Sequence, residues 1–488
     1  MTTSNTGASA AAGSRWWSLS VASLASLIVT ADSGQLSIAL PVIITEFNAD
    51  LTLASWIALA YALITASLYL PCGRLSDLVG VGRLFLAGFL IYGTSSIAAG
   101  LAQNTAQLII FRALQAAGSA LIMANNFALV TALFPPAERG RAMGIAGGAV
   151  SAIGYTLGPV IGGVLTHGFG WRANFFLSGA LAFAGFGAAR VLLPSESFHG
   201  SATKREPFDL IGALAFATGI SGVLFGLASA QKAGWQSPLV SMTFTGGLVV
   251  LGCFTGWEKR ARFPLLDLAL FRIPAFTLGN SARWISFVSM SMNNLLMPFF
   301  LQRAKGLDPL RAGFLVAPTP LAMALLAPLT GWMSERFIPE RLCAVGLAVT
   351  GVAFLLLSSL SPASSSIEIV SCLAFVGVGM GLFQTPNNNL LMTAVPRQRL
   401  GVGSAFLSIV RSVGYSTGAT LAASIVGAQL AVTGQSSLQI LTRQSAAGAS
   451  AIGLSAFLRG FQLACLAAGA LCFLGAAISA LRVSNDHR

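Results

Sequence analysis

The sequence predicts an all-α polytopic membrane protein of fourteen spanning helices, built as two six-helix bundles with a helix pair inserted between them. Three observations carry that prediction. The 488 residues are 55% hydrophobic and only 9% charged, with a mean hydropathy of +0.78, against roughly one quarter charged residues in soluble domains. Fourteen apolar segments are long enough, at about twenty residues, to cross a ~30 Å hydrocarbon core as helix with every backbone polar group bonded internally. Connections also recur at an offset of about 260 residues: 73–83 after the second segment and 331–336 after the tenth, then 135–140 and 395–401. Two parallel half-repeats are a secondary-transporter plan.

In order, segments 1 to 6 cover residues 17–44, 53–71, 84–102, 107–134, 142–166 and 173–193. Residues 1–14 are small and polar and form an unstructured cytoplasmic tail, with no cleavable signal peptide expected. The first bundle is 15–195, closed by a polar linker with Lys204 and Arg205. Segments 7 and 8, at 210–229 and 239–257, have almost no internal polarity and belong at the periphery; with their linkers they fill 196–272. Lys259, Arg260, Arg262 and Arg272 mark the second boundary. The second bundle, 273–488, holds segments at 276–301, 312–333, 342–360, 367–394, 401–430 and 457–481. The loop 431–455, rich in Ser, Gln and Ala, should face outward.

A net charge of +13 would suggest nucleic acid in a soluble chain. Here the positive-inside rule accounts for it, and no nucleic-acid partner is expected. With an even number of spans both termini share a side, and placing them in the cytoplasm puts the larger share of Lys and Arg inside. The expectation is a multi-pass protein of the cytoplasmic (inner) membrane with the lipid bilayer as its surroundings. The six Cys lie in or beside apolar segments without ligand spacing, so they read as small core residues and no metal site follows. Gly377-Val378-Gly379-Met380-Gly381 sits inside an apolar segment with no strand before it, which argues against a nucleotide loop. No paired acids or His clusters suggest catalysis, and no cofactor is called for.

Asp32 is the exception in this composition. The other acidic residues fall in connections or at segment ends, whereas Asp32 lies well inside segment 1. A charge at bilayer depth costs at least ~2.5–3.5 kcal/mol, so such a group points to function. At 1.5 Å per residue, Asp32 and Arg112 lie at similar depths in the outer half. We therefore expect them to communicate, directly or through water, with Asp32 as a proton site.

Several motifs have a recognisable form. Gly73, Leu75, Asp77 and Gly80 match G-x-L-x-D-x-x-G, with Arg83 just beyond; Leu78, Val81 and Gly82 stand where basic residues are common. Arg112-Ala113-Leu114-Gln115-Ala116-Ala117-Gly118 resembles R-x-x-Q-G-x-G with its first Gly replaced. Gly154, Gly158, Pro159, Gly162 and Gly163 complete G-x-x-x-G-P-x-x-G-G in segment 5. Independently of any family, Gly at spacing four leaves a bare stripe for close helix contact, and Pro159 removes a backbone hydrogen bond. On these motifs the chain resembles the major facilitator superfamily, specifically its fourteen-helix drug:proton antiporter family.

The resemblance implies the major facilitator fold, with a central cavity lined mainly by segments 1, 4, 9 and 12. Intramembrane polarity collects on those segments. Arg112, Gln115, Ser119, Met123 and Asn126 share one face at 3.6 residues per turn; Arg283, Phe287, Met290 and Asn294 share another, and Gln384 and Asn388 a third, with Pro386 opening the backbone between them. With Gln35 and Arg411 these make the expected substrate contacts. Gly73, Asp77, Gly80 and Arg83 are the expected cytoplasmic latch, and the segment 5 motif the seal against leakage. The resemblance implies a proton-coupled antiporter, monomeric and driven by the proton gradient, that exports amphipathic small molecules such as drugs or antibiotics. Three intramembrane Arg against one Asp also fit an exporter of lipid-like or anionic metabolites, and a non-transporting membrane sensor or assembly partner is the reading from another class.

Overall fold

The computed structural model describes residues 4–48, 51–199, 206–307, 309–432 and 451–485. Among the described residues, thirteen helices are long and apolar enough to cross a membrane. A fourteenth, Leu400–Ala431, has the length but is interrupted by Arg411 and a series of Ser, Thr and Gly. We number the fourteen in chain order. The first bundle comprises α1 (Ser4–Phe47), α2 (Leu51–Val79), α3 (Val81–Gly100), α4 (Thr105–Leu133), α5 (Pro136–Phe169) and α6 (Arg172–Leu192). The inserted pair is α7 (Leu210–Ala233) and α8 (Pro238–Glu258). The second bundle comprises α9 (Pro274–Ala304), α10 (Arg311–Arg336), α11 (Pro339–Ser358), α12 (Ser366–Ala394), α13 (Leu400–Ala431) and α14 (Ala451–Asn485).

Several boundaries differ from expectation for physical reasons. Helix α1 begins at Ser4, so the segment expected as an unstructured tail is helical. Helix α2 runs through Pro71 to Val79, because Pro71 costs one backbone bond without ending a well-packed helix. The true turn is Gly80, at φ 103°, a conformation natural to glycine. Helix α4 breaks after Met123 and resumes at Asn126, and Asn125 caps the break by donating from Nδ2 to Leu121 O at 2.8 Å. Helix α5 widens to a π-turn over Gly144–Ala149, a form frequent at functional sites. Pro386 leaves α12 unbroken from Ser366 to Ala394. Of the two linkers, 200–205, with Lys204 and Arg205, and most of the 431–455 loop lie outside the described residues.

The inserted pair is less peripheral than its apolarity suggests. Helix α7 packs on both α2 and α13, one from each bundle. Thr420 Oγ1 donates to Leu227 O at 2.9 Å, Gln231 Nε2 to Thr420 Oγ1 at 3.3 Å, and Trp235 Nε1 to Ser424 Oγ at 3.1 Å. Helix α8 forms the outer layer, with Met242 and Val249 exposed as lipid-facing residues would be.

Candidate functional site

Asp32 and Arg112 meet directly. Arg112 Nη1 donates to Asp32 Oδ2 at 2.7 Å and to Gln115 Oε1 at 2.7 Å. Gln115 Nε2 in turn donates to Asp32 Oδ1 at 3.3 Å and to Ser96 Oγ at 2.8 Å. The Tyr61 ring stacks on the guanidinium, its centroid 4.2 Å from Cζ. Both charges are buried, at 3% and 2% exposure. Pairing offsets much of the desolvation cost of each, and removing either partner would strand the other.

The segment 5 glycines position this pair from behind. A Cβ on Gly154 would stand 2.0 Å from Thr30 Oγ1, on Gly158 2.5 Å from Ala31 O, and on Gly162 2.7 Å from Gln35 Cα. Pro159 abuts Gly34 from the same face. Helices α1 and α5 therefore touch backbone to backbone along the turns that carry Asp32. Gly163 has nothing within 4 Å and takes no part in this contact.

A cavity of about 260 Å³ lies between the bundles. Of the expected substrate contacts, Arg283, Phe287, Met290, Asn294, Gln384, Asn388 and Arg411 line it. Arg283 donates from Nε to Leu407 O at 3.1 Å and from Nη1 to Asn388 Oδ1, and it lies over the Phe287 ring at 4.9 Å. Arg411 Nη2 donates to Tyr69 OH at 3.4 Å.

The other expected contacts lie elsewhere. Asn126 Nδ2 donates to Ser26 Oγ at 2.7 Å, and Gln35 Oε1 accepts from Ser178 Oγ at 3.2 Å, so both bond helices of the first bundle together. Gln115 is taken up with Asp32 and Arg112, and Met123 packs in the core cluster shared by the first bundle, α12 and α13, its carbonyl accepting from Ser408 Oγ at 3.3 Å. For Asn126 the break in α4 is the reason: one helical face cannot be extended from Arg112 to Asn126 across it. Their places on the wall go to Gly147, Gly148, Ser151 and Tyr155 of α5 and to Thr319, Pro320 and Met323 of α10. None of these seven is among the contacts expected from the sequence. The Gly147-Gly148 pair beside Ser151 was the available signal, since it exposes backbone in an otherwise apolar segment.

The end of the molecule that carries the α2–α3 and α12–α13 connections is closed. Asp77 accepts from Gly401 N at 2.7 Å and Val402 N at 3.2 Å, two of the free donors in the first turn of α13. Gly73 allows that approach, its added Cβ lying 2.4 Å from Gly401 O. The repeat-related contact is Arg141 N donating to Glu335 Oε1 at 2.8 Å, with Gly140 against Gly331. Glu206, at the start of the described linker, accepts from Arg74 of α2 and lies 4.0 Å from Arg399 Nη1. The Arg74 hydrogen bond, aided by the charges of Arg74 and Arg399, holds the Glu206 carboxyl below its ordinary range. Arg83 is exposed and joins no ion pair among the described residues, because α3 starts two residues before it and turns it away.

Residues 22–419 match the family model described as Major Facilitator Superfamily. The chain is 30% identical over 404 residues to the riboflavin transporter RibZ of Clostridioides difficile, covering 83% of this chain and 86% of that one. It is 31% identical over 399 residues to the multidrug resistance protein Stp of Mycobacterium tuberculosis, covering 81% and 73%. A third relative, the tetracenomycin C resistance and export protein of Streptomyces glaucescens, is 29% identical over 418 residues, covering 85% and 76%. Among solved structures, the human organic anion transporter MFSD10 superposes with a TM-score of 0.64 at 15% identity, over 95% of this chain and 99% of that one, a likeness of fold.

Proposed function

The chain belongs to the Major Facilitator Superfamily and is a multi-pass membrane transporter of small molecules, and from that premise we propose that it is a proton-coupled antiporter exporting amphipathic compounds. Asp32 carries the reading. Among the described residues it is the one acid deep within a span, it is paired with Arg112, and its helix is clamped to α5 at Ala31 and Gln35. Proton binding at Asp32 would release Arg112 and loosen α1 against α4, coupling protonation to the motion of one bundle over the other. By linkage, substrate binding then weakens proton binding by the same factor. Relatives named for multidrug resistance and antibiotic export support the export direction and the cargo class.

We place the protein in a cytoplasmic membrane with both termini inside, on the Lys/Arg bias of its connections, and as a monomer drawing on the proton gradient without a cofactor. The closed end is then the cytoplasmic one. In proteoliposomes with an imposed pH gradient, D32N is expected to abolish proton-driven transport while retaining gradient-free exchange of bound substrate. Wild-type uphill transport by D32N across pH would refute the coupling.

A further inference from the structure

The central cavity carries positive charge that nothing on its walls neutralises. Arg283 of α9 and Arg411 of α13 line it together, and among the described residues the hydrogen-bond acceptors of both guanidinium groups are neutral: Leu407 O, Asn388 Oδ1 and Tyr69 OH. Among the described residues no carboxylate forms an ion pair with either. Every described acidic residue but Asp32 lies in a connection or in the first or last turn of a helix. Asp32 itself is bound to Arg112, outside the cavity lining. Two guanidinium groups in a shared cavity between helices repel one another, and burying such a charge is costly unless it is paired. A pair of this kind persists in a functional cavity when an anion supplies the missing charge.

The rest of the wall specifies what that anion is attached to. Phe287 lies beneath Arg283, and its ring is 5.5 Å from that of Tyr415; Met290 and Met323 offer deformable apolar surface. Asn294 and Gln384 add neutral donors. Arg presents a planar fork that matches a carboxylate, sulfonate or phosphate in two-pronged fashion. We propose that this cavity binds an amphipathic organic anion, its oxyanion held between Arg283 and Arg411 and its aromatic body laid against Phe287 and Tyr415. The inference deepens the transport reading, for which it names the substrate class, and it sets the cavity apart from one built to recognise cations.

The test is equilibrium binding to purified protein in nanodiscs of zwitterionic lipid, with no gradient, so it does not depend on proton coupling at Asp32. Three probes share one ring system: pyrenebutyrate, pyrenebutanol and pyrenebutylamine. Pyrenebutyrate is expected to bind on the order of tenfold tighter than either of the others. R283Q and R411Q should each remove most of that preference while leaving pyrenebutanol affinity within about twofold of wild type, which also reports that the cavity is intact. R283K, which keeps the charge, should retain a measurable share of the preference. Equal affinity for the three probes, tighter binding of the amine, or an anion preference unchanged in both Gln variants would overturn the proposal. Loss of coupled transport in D32N with the binding preference intact would fault neither assignment.

Discussion

At the residue scale, the ion pair of Asp32 and Arg112 has a structural contribution that can be separated from the coupling role proposed for it. Either D32N or R112Q alone leaves a buried group without its partner, at a cost on the order of 3–5 kcal/mol when a buried pair is broken. The double variant D32N/R112Q removes both charges and keeps Gln115, Ser96 and Tyr61 around neutral amides. Thermal unfolding in detergent is expected to show each single variant clearly destabilised and the double variant recovering most of the loss, a positive interaction term of the kind double-mutant cycles isolate. Proton-driven transport should stay absent in the double variant, since no titratable carboxyl is restored. A double variant as unstable as the sum of its parents would mean that the two residues contribute independently and that the 2.7 Å contact is not what stabilises α1 against α4.

At the scale of elements, the contact of α1 with α5 makes a sharp contrast between two glycines of one motif. G158A places a methyl group 2.5 Å from Ala31 O, a backbone atom that cannot swing aside, whereas G163A meets nothing within 4 Å. Overpacking of this sort costs about 1–3 kcal/mol, so G158A should lower the unfolding temperature and the transport rate together while G163A leaves both unchanged; equal effects would show that the stripe does not set the helix spacing. The same elements show how far the sequence could be read. The fourteen helices, the Asp32–Arg112 meeting and the cavity faces of α9 and α12 were legible because each rests on period and depth along one uninterrupted helix. The wall contributed by α5 and α10 was not. It depends on a π-turn at Gly144–Ala149 and a break at Ala124–Asn125, and both are settled by contacts with other helices rather than by local periodicity. Asn126 was therefore assigned to the cavity when its partner is Ser26.

At the scale of the whole molecule, three carboxylates among the described residues tie the two bundles together at one end: Asp77 on the backbone of α13, Glu335 on the backbone of α5, and Glu206 between Arg74 and Arg399. The third belongs to the linker that leads into the inserted pair, so that linker spans both halves of the latch while α7 packs on α2 and α13 behind it. Alternating access requires all three to release together. Asp77→Asn keeps a carbonyl acceptor for one of the two amides but loses the charge that favours the N-terminus of α13, so it should shift the molecule toward opening at this end. Spin labels at R83C and Q398C, both exposed positions on either side of the latch, read that opening as a longer and broader distance distribution by double electron–electron resonance in a background lacking the native cysteines. The Glu206 bridge adds a pH dependence with a definite sign. Its carboxyl is held below the ordinary range, so its contribution is fully present above that range and fades only as pH falls through the lowered value. Label distances in wild type should therefore be constant from about pH 8 down to about pH 5 as far as this bridge is concerned and lengthen only in stronger acid, and E206Q should show the longer distance at every pH. A wild-type distance that lengthens near neutral pH while E206Q behaves identically would assign the opening to another titrating group and leave the linker as a passive tether.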